Sequence, residues 1–333
     1  MELNRCICPV GQGGFSLEMI GSFVVAFDCG STSSAGMVER CIDHLRDDID
    51  TIDILFISHF DRDHVNGIRY LLNHIRVRKV VTAFIPADLK LVYGVYTSGA
   101  YTAIMDMLMG NDLDVNEIGS EDMDSRSFSF QSKWEWIAKS MMHTAEFEII
   151  KSLLVTGGFD ANRLQDAEYV ETKKEIINSA FKHVFGAKGP NAKGLVMLSQ
   201  PCKGTATLGS DVLRGFRHRF CFMQINHRDE SSCLYVGDAD LKNISNKKDV
   251  KDFLQRNRTE ATLLFMQLPH HGSQNSIGVN FDKGFPAQYY ILNDVNTNRL
   301  QKTPRFFDAI SRQGQLLVCR AYCCDAVRNE TEL

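Results

Sequence analysis

The sequence predicts an α/β fold in which buried strands alternate with helices. Two apolar runs, residues 52–57 and 263–268, have the length and composition of buried strands, and an amphipathic pattern over residues 68–75 predicts a helix after the first run. The chain has 333 residues, of which 44% are hydrophobic and 23% charged, as in globular proteins with a sizeable core. At this length the chain could form one large domain or two small ones, and we expect a single domain spanning residues 1–333.

The first part of the chain predicts mainly β structure. Residues 15–20 and 23–27 are strand-like runs joined by Gly21-Ser22, which predicts a hairpin. The glycine-rich run 11–14 is expected to be a turn, because no Gly-Lys-Ser/Thr follows it and no helix begins there. The other elements predicted here are strands at 5–10, 52–57 and 77–85 and a helix at 37–45.

In the middle of the chain, about residues 91–190, helical patterns replace the strand patterns. The sequence of this block predicts an inserted helical cap. Trp134 and Trp136 fall within one of its predicted helices. Two positions apart on a helix they face different directions, so we expect at most one of them in the core, and stacking on a nucleic-acid base is the alternative role. The helices predicted in this block cover residues 101–109, 134–154 and 167–185.

The last part of the chain returns to alternating strands and helices. No internal repeat or low-complexity tract stands out in it. The predicted strands are 194–199, 220–225, 232–237, 263–268, 288–292 and 315–322, and the predicted helices are 250–255 and 306–310.

Composition limits the classes of function and the cellular setting. A formal net charge of −4 gives no global electrostatic case for nucleic-acid binding, although a bound dication or a local basic patch can still hold phosphates. No apolar run reaches the length of a membrane span, and the N-terminal residues do not resemble a signal peptide. The ten cysteines show no zinc-binding spacing and several lie in apolar runs, so we expect reduced thiols and a cytoplasmic location, without membrane association.

The densest set of candidate metal ligands follows the predicted strand at 52–57. The loop contains His59, Asp61, Asp63 and His64 within six residues. So many ligand-type side chains would repel one another or remain unsatisfied without a cation. A tight loop can aim one pair at one metal ion and the other pair at a second ion nearby. The alternative is a polar turn in which Asp63 caps a helix.

Two more predicted strand ends carry candidate ligands. Asp238 follows the Tyr-Val-Gly end of one strand, where a carboxylate is well placed to bridge two cations, and a helix cap is the alternative. Pro-His-His-Gly-Ser follows the strand at 263–268 and supplies His270 and His271, one of which we expect to be a ligand. Ligands of α/β proteins bind where strands end, so these residues are expected to converge with the loop at 59–64.

Together these stretches resemble the metallo-β-lactamase fold, most closely its ComEC-like branch, which contains the nuclease domain of a DNA-uptake competence protein. The resemblance covers nearly the whole chain apart from the helical insertion. It implies a four-layer αβ/βα sandwich with a metal site at one edge between two sheets. The stretches that carry it are Val-Gly-Gln-Gly at 10–13, Asp-Cys-Gly at 28–30, His-x-Asp-x-Asp-His-x-x-Gly at 59–67, Gly-Asp at 237–238 and Pro-His-His-Gly-Ser at 269–273.

The resemblance also implies a role for each candidate residue. His59 and Asp61 would serve one metal, Asp63 and His64 the other, and Asp238 would bridge them. The second metal would gain one histidine from the pair at 270–271, for which we choose His270, leaving His271 as a possible proton donor. Asp28 would support the site through hydrogen bonds.

Two departures from the common pattern of the fold bear on the metal. Asp61 stands where most members have a second histidine, as in the ComEC-like branch. The separate histidine expected before the strand at 194–199 is missing, and Asn191 stands near that place. With fewer nitrogen and more oxygen ligands, the site should take one or two divalent ions, Zn²⁺ and/or Mn²⁺.

The leading hypothesis for function is a metal-dependent hydrolase of phosphodiester bonds, a nuclease acting on DNA or RNA. Asp63 would orient or deprotonate the attacking water, and His271 would protonate the leaving alkoxide if it is not a ligand. Ser273 could hydrogen-bond a phosphate oxygen. Nucleic acid or a nucleotide is then the expected partner.

Other functions remain open on the sequence alone. The substrate could be a small cyclic nucleotide, or a non-phosphate ester, lactone or thioester. From a different class, the missing histidine could mark a degenerate, non-catalytic scaffold domain. Retention of both carboxylates and both histidines at 59–64 argues against such decay, although a fold alone does not fix a function.

Overall fold

The computed structural model describes residues 3–33, 35–119, 125–203, 211–213, 223–225, 232–259, 263–273, 275–277, 281–294 and 315–320. They form two β-sheets with helices packed around them. The strands in chain order are β1 (Leu3–Ile7), β2 (Ser16–Ile20), β3 (Phe23–Phe27), β4 (Thr51–Ile57), β5 (Arg76–Ala83), β6 (Asp114–Ile118), β7 (Arg126–Phe130), β8 (Trp134–Ser140), β9 (Leu195–Pro201), β10 (Asp211–Leu213), β11 (Met223–Ile225), β12 (Cys233–Tyr235), β13 (Leu263–Gln267), β14 (Ala287–Asp294) and β15 (Gln315–Arg320).

The helices lie mostly between consecutive strands. None of those within the described ranges is long and apolar enough to span a membrane. In chain order they are α1 (Ala35–Leu45), α2 (Arg62–Val65), α3 (Ile68–His74), α4 (Lys90–Tyr96), α5 (Ala100–Gly110), α6 (Thr144–Thr156), α7 (Ala167–Thr172), α8 (Lys174–Phe185), α9 (Ile244–Asn257) and α10 (Phe281–Gly284).

The two sheets have the orders β11-β10-β1-β2-β3-β4-β5-β6 and β15-β14-β13-β12-β9-β8-β7. In the first sheet β3, β4, β5 and β6 run parallel, so their carboxyl ends lie at one edge. In the second sheet β12, β13, β14 and β15 also run parallel. Parallel strands need crossover connections, which explains why helices follow β4, β5, β12 and β13.

Strand side chains alternate between two buried faces and thereby define the layers. On β3, Val25 and Phe27 join the apolar cluster between the sheets, whereas Val24 and Ala26 join a second cluster with helices that include α1 and α3. A third cluster packs α9 against the outer face of the second sheet. The three clusters separate four layers, and the predicted α/β class with two sheets and flanking helices is confirmed.

The prediction of a helix over residues 134–154 is wrong in its first part. Residues 134–140 form β8, and only Thr144–Thr156 is helical. On a strand the period is two, so Trp134 and Trp136 face the same side, and both are fully buried between the sheets. Neither ring is available to stack on a base.

The middle block also contributes more to the sheets than predicted. Its helices form two groups, α4–α5 and α6–α8, and the strands between them extend both sheets: β6 lies at the edge of the first, and β7 and β8 at the edge of the second. The predicted helix over 167–185 is divided into α7 and α8 at Lys173. The predicted helix at 306–310 lies outside the described residues.

Candidate metal centre

The candidate ligands lie where strands of the two sheets end at one edge of the sandwich. Asp28 follows β3, and its backbone N–H donates to the carbonyl of Phe56 on the neighbouring β4 at 2.8 Å. The loop after β4 is joined to the second sheet, because the N–H of Leu195 on β9 donates to the carbonyl of Ser58 at 2.7 Å. The site is therefore built across the seam between the sheets.

The loop after β4 turns directly into the short helix α2, which fixes the side-chain directions of the motif. Asp61 occupies the N-cap position, and its carbonyl accepts the N–H of His64 at 2.9 Å. His59 precedes the turn and is buried, whereas Arg62 on the first turn is exposed. The helix rotates His64 inward, where its side chain is 1% exposed.

Glycines allow the close backbone approach that this loop requires. A Cβ added at Gly14 would lie 3.0 Å from both Asp28 Oδ2 and His64 Nδ1. Gly237 has φ +51°, which glycine adopts without strain, and a Cβ there would lie 2.7 Å from Ser58 Oγ. The glycine turn at 11–14 thus packs directly against Asp28 and His64, a role that its sequence did not reveal.

Asp28 fixes the orientation of both buried histidines of the loop. Its Oδ2 lies 2.7 Å from His64 Nδ1 and accepts from Ser58 Oγ at 2.8 Å. Ser58 Oγ in turn lies 2.9 Å from His59 Nδ1. Since the Ser58 hydroxyl proton goes to Asp28, His59 Nδ1 is the donor to Ser58, and both imidazoles direct Nε2 towards the site. Such outer hydrogen bonds set the tautomer of metal-binding histidines.

The Nε2 atoms of His59 and His64 have no hydrogen-bond partner among the described residues. The same is true of Asp238 Oδ1, which lies 3.2 Å from His64 Nε2. Asp238 Oδ2 lies 3.9 Å from His59 Nε2. Lone pairs of an imidazole and a carboxylate that face each other in a buried setting need a proton or a cation between them.

The donor atoms group into two overlapping sets. One set comprises His59, Asp63 and His64, and the other His64, Asp238 and His271. Within each set the ligand atoms lie within 4.8 Å of one another. His64 belongs to both sets but has only Nε2 free, so it can bind one ion, and a second ion would depend on the other donors; the residues present fit a divalent metal.

His270 and His271 occupy different environments after β13. His271 is 5% exposed, and its Nε2 lies 3.1 Å from Asp63 Oδ2. His270 is 38% exposed, with Nδ1 3.1 Å from Asp238 Oδ2. His271 therefore lies among the donor atoms of the second set and His270 at the rim, and which of the two binds a metal stays a prediction.

This placement depends on an unusual backbone. Both histidines have φ 49°, a left-handed conformation that costs about 1–3 kcal/mol per non-glycine residue. The N–H of His270 donates to the carbonyl of Gly237 at 3.1 Å, which attaches the turn to the loop carrying Asp238. Such strain is found mostly at functional sites, where the surrounding structure holds it in place.

Asp61 and Asn191 form the more open side of the site. Asn191 precedes β9 in a short 3₁₀ turn, and its Nδ2 donates to Asp61 Oδ2, which lies 4.0 Å from His59 Nε2. Asn191 Oδ1 is buried and has no partner among the described residues. Asp61 is 43% exposed and stands outside the two donor sets. Asn191 therefore lies beside Asp61, and its place as the counterpart of the missing histidine stays a prediction.

Ser273 follows the strained turn and is half-buried. Its backbone N–H donates to the carbonyl of His270 at 2.9 Å, which closes the turn. A contact with a substrate phosphate stays a prediction for this residue.

Burial and neighbouring charges shift the histidine pKa values in opposite directions. Burial lowers the pKa of His59, and the charge of His64 lowers it further. Burial also acts to lower the pKa of His64, but the carboxylates of Asp28 and Asp238 outweigh it and raise that pKa well above the ordinary value. Without metal, His64 thus holds a proton where a cation would bind.

The acidic residues stay ionised in spite of burial. Burial acts to raise the pKa of Asp63, but the hydrogen bond from His271 and the charge of His64 lower it to about 2. Burial likewise opposes ionisation of Asp238, and the charge of His64 with the hydrogen bond from His270 keeps its pKa well below the ordinary value. Two ionised carboxylates are therefore held ready for a cation.

Ser58 is the site residue that sequence reasoning missed. It links Asp28 to His59 and lies 3.4 Å from His64 Nδ1. Its position at the strand end immediately before the first histidine was a usable signal, because a hydroxyl there can reach the imidazole that follows.

Comparison with known proteins supports the fold. The family model of the metallo-beta-lactamase superfamily matches residues 20–91, which include Asp28 and the loop at 59–64. A search of curated protein sequences returns no match to this chain. The topology and the matched segment together identify the metallo-β-lactamase fold, whose members are typically metal-dependent hydrolases. The ComEC-like branch stays a prediction.

Several solved structures are similar at low sequence identity. The metallo-beta-lactamase fold protein YhfI from Bacillus subtilis aligns at 9% identity and TM-score 0.43 over 96% of each chain. A diphosphatase of the PhnP family aligns at 10% identity and TM-score 0.38, covering 91% of this chain and 80% of the other. MEM-A1, a subclass B3 metallo-beta-lactamase from a soil metagenome library, aligns at 11% identity and TM-score 0.34, covering 80% and 78%.

Proposed function

We propose that this protein is a metal-dependent phosphodiesterase that cleaves nucleic acid. The observation that carries the proposal is the convergence of three unpartnered buried atoms, His59 Nε2, His64 Nε2 and Asp238 Oδ1, at the edge of the sandwich. A degenerate scaffold would have no reason to keep His59 Nε2 buried without a partner among the described residues and two carboxylates desolvated around His64, because burial of such groups costs stability that a bound cation would offset.

The donor set supports a pair of unlike metal positions. His59 and Asp61 would hold one ion, with the carboxamide oxygen of Asn191 beside them. Asp63 and His64 would hold the other together with His271, and Asp238 would lie between the two positions. Carboxylates and imidazoles are equally represented among the six ligands other than Asn191. Such a set suits Zn²⁺ at the nitrogen-richer position and Mn²⁺ at the oxygen-richer one.

The chemistry divides between the metal and the chain. When bound, a divalent ion lowers the pKa of coordinated water enough to provide hydroxide near neutral pH. Asp63, ionised and 14% exposed, would orient that water by accepting a hydrogen bond from it, since its pKa of about 2 makes it too weak a base to keep the proton. His270 would donate a proton to the leaving alkoxide, because its Nδ1 is engaged by Asp238 while the partly exposed ring faces the rim.

Phosphodiesters suit this site better than thioesters or lactones. Oxygen-rich sites favour hard cations, and these pair with phosphate oxygens. The sequence resemblance to the ComEC-like branch points to a nucleic-acid substrate through the same positions, Asp61 and Asn191. With an overall charge of −4, substrate binding would depend on the metal edge rather than on a basic surface.

The test is a metal analysis combined with a substrate survey of the full chain. We expect metal to co-purify, and bis(p-nitrophenyl) phosphate and DNA or RNA to be cleaved. Single- and double-stranded DNA and RNA, cyclic nucleotides, a thioester and a lactone would be compared with Zn²⁺ and with Mn²⁺. The Asp238→Asn variant is the matched control for contaminating nuclease.

Each other outcome points to another class of function. Cleavage of only the thioester or lactone, lost in Asp238→Asn, would replace the phosphodiesterase by another hydrolase. Cleavage confined to cyclic nucleotides would narrow the substrate to a small molecule. If the protein binds no metal and turns over none of the substrates, the non-catalytic scaffold is the remaining function.

Metal preference tests the oxygen-rich position separately. Added Mn²⁺ should raise the activity of the protein as purified by filling the weaker position. Asp61→His should shift the optimum towards Zn²⁺, because imidazole suits that ion. Full activity with one zinc per chain, indifferent to Mn²⁺, would contradict the two-metal arrangement.

A further inference from the structure

The turn before β9 carries a lysine that lies between two of the loops bearing candidate metal ligands. Lys188 stands at the start of the 3₁₀ turn Gly189–Lys193. Its Nζ lies 2.8 Å from Asp240 Oδ2, on the loop that follows β12, and donates to Ser276 Oγ at 3.2 Å and to the carbonyl of Asn275. The three donors of one ammonium thus meet partners from two loops.

The ion pair with Asp240 attaches this turn to the loop after β12. Asp240 stands two residues after Asp238 in the chain. Its backbone N–H donates to the carbonyl of Ala192 at 3.0 Å, so both its side chain and its backbone contact the turn. The side chains of Lys188 and Asp240 are only 26% and 19% exposed, so water screens this pair less than one on the open surface. The pair therefore helps to fix the loop that carries Asp238.

The contacts with Asn275 and Ser276 act on the strained turn after β13. Ser276 is fully buried, and its N–H donates to the carbonyl of Ser273 at 2.9 Å. The N–H of Ser273 donates in turn to the carbonyl of His270 at 2.9 Å, so three successive hydrogen bonds connect the ammonium to this turn. The left-handed backbone at His270 and His271 persists only where surrounding contacts hold it, and the ammonium supplies some of these contacts.

We propose that Lys188 is a positioning residue of the metal centre, which ties both loops to the turn before β9 and thereby holds His271 beside Asp63. The inference rests on the metal centre of the proposed function, but it does not require a phosphodiester substrate. Without the ammonium, the turn at His270 and His271 would relax towards ordinary backbone angles. The contact of 3.1 Å between His271 Nε2 and Asp63 Oδ2 would then lengthen, and the donor atoms would no longer converge on one ion.

The experiment compares the full chain with Lys188→Met, which keeps a long side chain but removes the ammonium. In the metal-free protein, hydrogen–deuterium exchange of the His270 and Ser273 amides should be faster by about tenfold, because the turn opens more often. Co²⁺ affinity, measured against a chromophoric chelator, should fall by about tenfold, the smaller end of the loss for contacts that support ligands. The visible absorption of bound Co²⁺, which reports the number and geometry of its ligands, should change as well.

Lys193→Met is the matched control, since it makes the same change at the other end of the same turn. The Lys193 ammonium pairs with Glu146 on α6 rather than with a loop that carries candidate ligands. This variant should lower the melting temperature but leave the exchange of the turn after β13, the Co²⁺ spectrum and the Co²⁺ affinity unchanged. Ser276→Ala removes one contact of Lys188 and should cause part of the same loss, whereas combining it with Lys188→Met should add little.

The outcomes separate the positioning role from the proposed activity. Folded Lys188→Met with the exchange and Co²⁺ affinity of the wild type, or with losses equal to those of Lys193→Met, would overturn the proposal. If Lys188→Met does not fold, wild-type exchange and affinity in Ser276→Ala would overturn it, and their loss would support it. A wild type that binds no Co²⁺ would overturn it together with the metal centre. Co²⁺ binding that Lys188→Met weakens, in a protein that cleaves no phosphodiester, would support the positioning role and overturn only the proposed function.

Discussion

Two buried polar clusters of this protein differ in whether their atoms find partners. The interior cluster lies between the sheets and comprises Arg5, Glu18, Trp136, Ser199 and Tyr235. The edge cluster comprises His59, His64 and Asp238, where strands of both sheets end. Both are almost fully buried, yet the first is complete within the chain and the second is not.

The interior cluster is satisfied around one carboxylate. Glu18 Oε1 accepts from Arg5 Nε at 2.7 Å and from the Tyr235 hydroxyl at 2.9 Å. Its Oε2 accepts from Trp136 Nε1 at 2.7 Å and from the Ser199 hydroxyl. The donors come from both sheets, so the cluster joins them. A fully paired buried charge of this kind needs nothing from outside.

The edge cluster has equal burial, but its ligand atoms are not fully paired. Its imidazoles are fixed by Asp28 and Ser58 so that their free nitrogens face Asp238. The comparison shows how a buried structural charge can be told from a ligand site: the first has a donor for each acceptor, and the second leaves buried ligand atoms such as His59 Nε2 without a hydrogen-bond partner among the described residues. The predictions below remove one part of each cluster.

The largest effect is expected for Asp238→Asn at the edge. The change keeps the shape but removes the charge that holds a cation, so phosphodiester turnover should fall by at least about a thousandfold, or about 4 kcal/mol of barrier. Metal content by mass spectrometry should fall with it. The free energy of unfolding without metal should change less than for the interior variant below; a larger loss would show that the edge is structural.

Glu18→Ala in the interior should act on stability instead. It leaves the Arg5 guanidinium buried without its carboxylate, so the free energy of unfolding in urea should fall by about 3–5 kcal/mol. The metal bound per folded molecule should be unchanged. Loss of metal from the folded variant would mean that the two clusters are coupled.

Ser58→Ala should weaken metal binding without removing a ligand. The hydroxyl that connects Asp28 to His59 would be lost, and losses of such outer hydrogen bonds cost roughly 10–100-fold in metal affinity. Competition with a chromophoric chelator measures the change. Ser199→Ala in the interior cluster is the matched control and should lower stability while metal affinity stays unchanged.

The smallest effect is a proton released when metal binds. The carboxylates raise the pKa of His64, so its Nε2 is protonated at neutral pH without metal and must lose that proton to bind a cation. Calorimetry in buffers of different ionisation enthalpy should detect about one proton per ion at pH 7. The apparent affinity should rise with pH until the pKa of His64 is passed, and affinity independent of pH would contradict this assignment.

The raised pKa of His64 also makes the stability of the metal-free protein depend on pH. A raised pKa in the folded protein contributes stability that is present below the unfolded pKa, about 6.5, and is lost as pH rises through the folded value. The free energy of unfolding of the metal-free protein, measured in urea, should therefore fall as pH rises. Metal-loaded protein should not follow that trend.

The candidate metal centre was accessible to sequence reasoning because much of its sequence pattern is local. His59, Asp61, Asp63 and His64 stand within six residues, and a buried strand before them fixes their place in an α/β fold. The choice between His270 and His271 was not accessible, because it depends on two successive left-handed residues that propensity does not anticipate.

The interior cluster could not be predicted. Arg5 and Glu18 stand opposite each other on a hairpin-like pair, β1 and β2, and such pairs are usually solvent-exposed. Only the packing of the second sheet shows that Trp136 and Tyr235 enclose them. The helix assigned to residues 134–140 failed for the same reason, since a strand with two buried tryptophans on one face was taken for helical periodicity.

The seam between the sheets has a consequence for the order of folding. Asp63 and His271, which meet at 3.1 Å, are 208 residues apart in the chain, so their contact forms only after both halves have been made and docked. Contacts of such long separation form slowly, because a large loop must close first. A metal that captures both would bind only a nearly finished molecule, and slow dissociation of that ion would hold the two halves together against reopening.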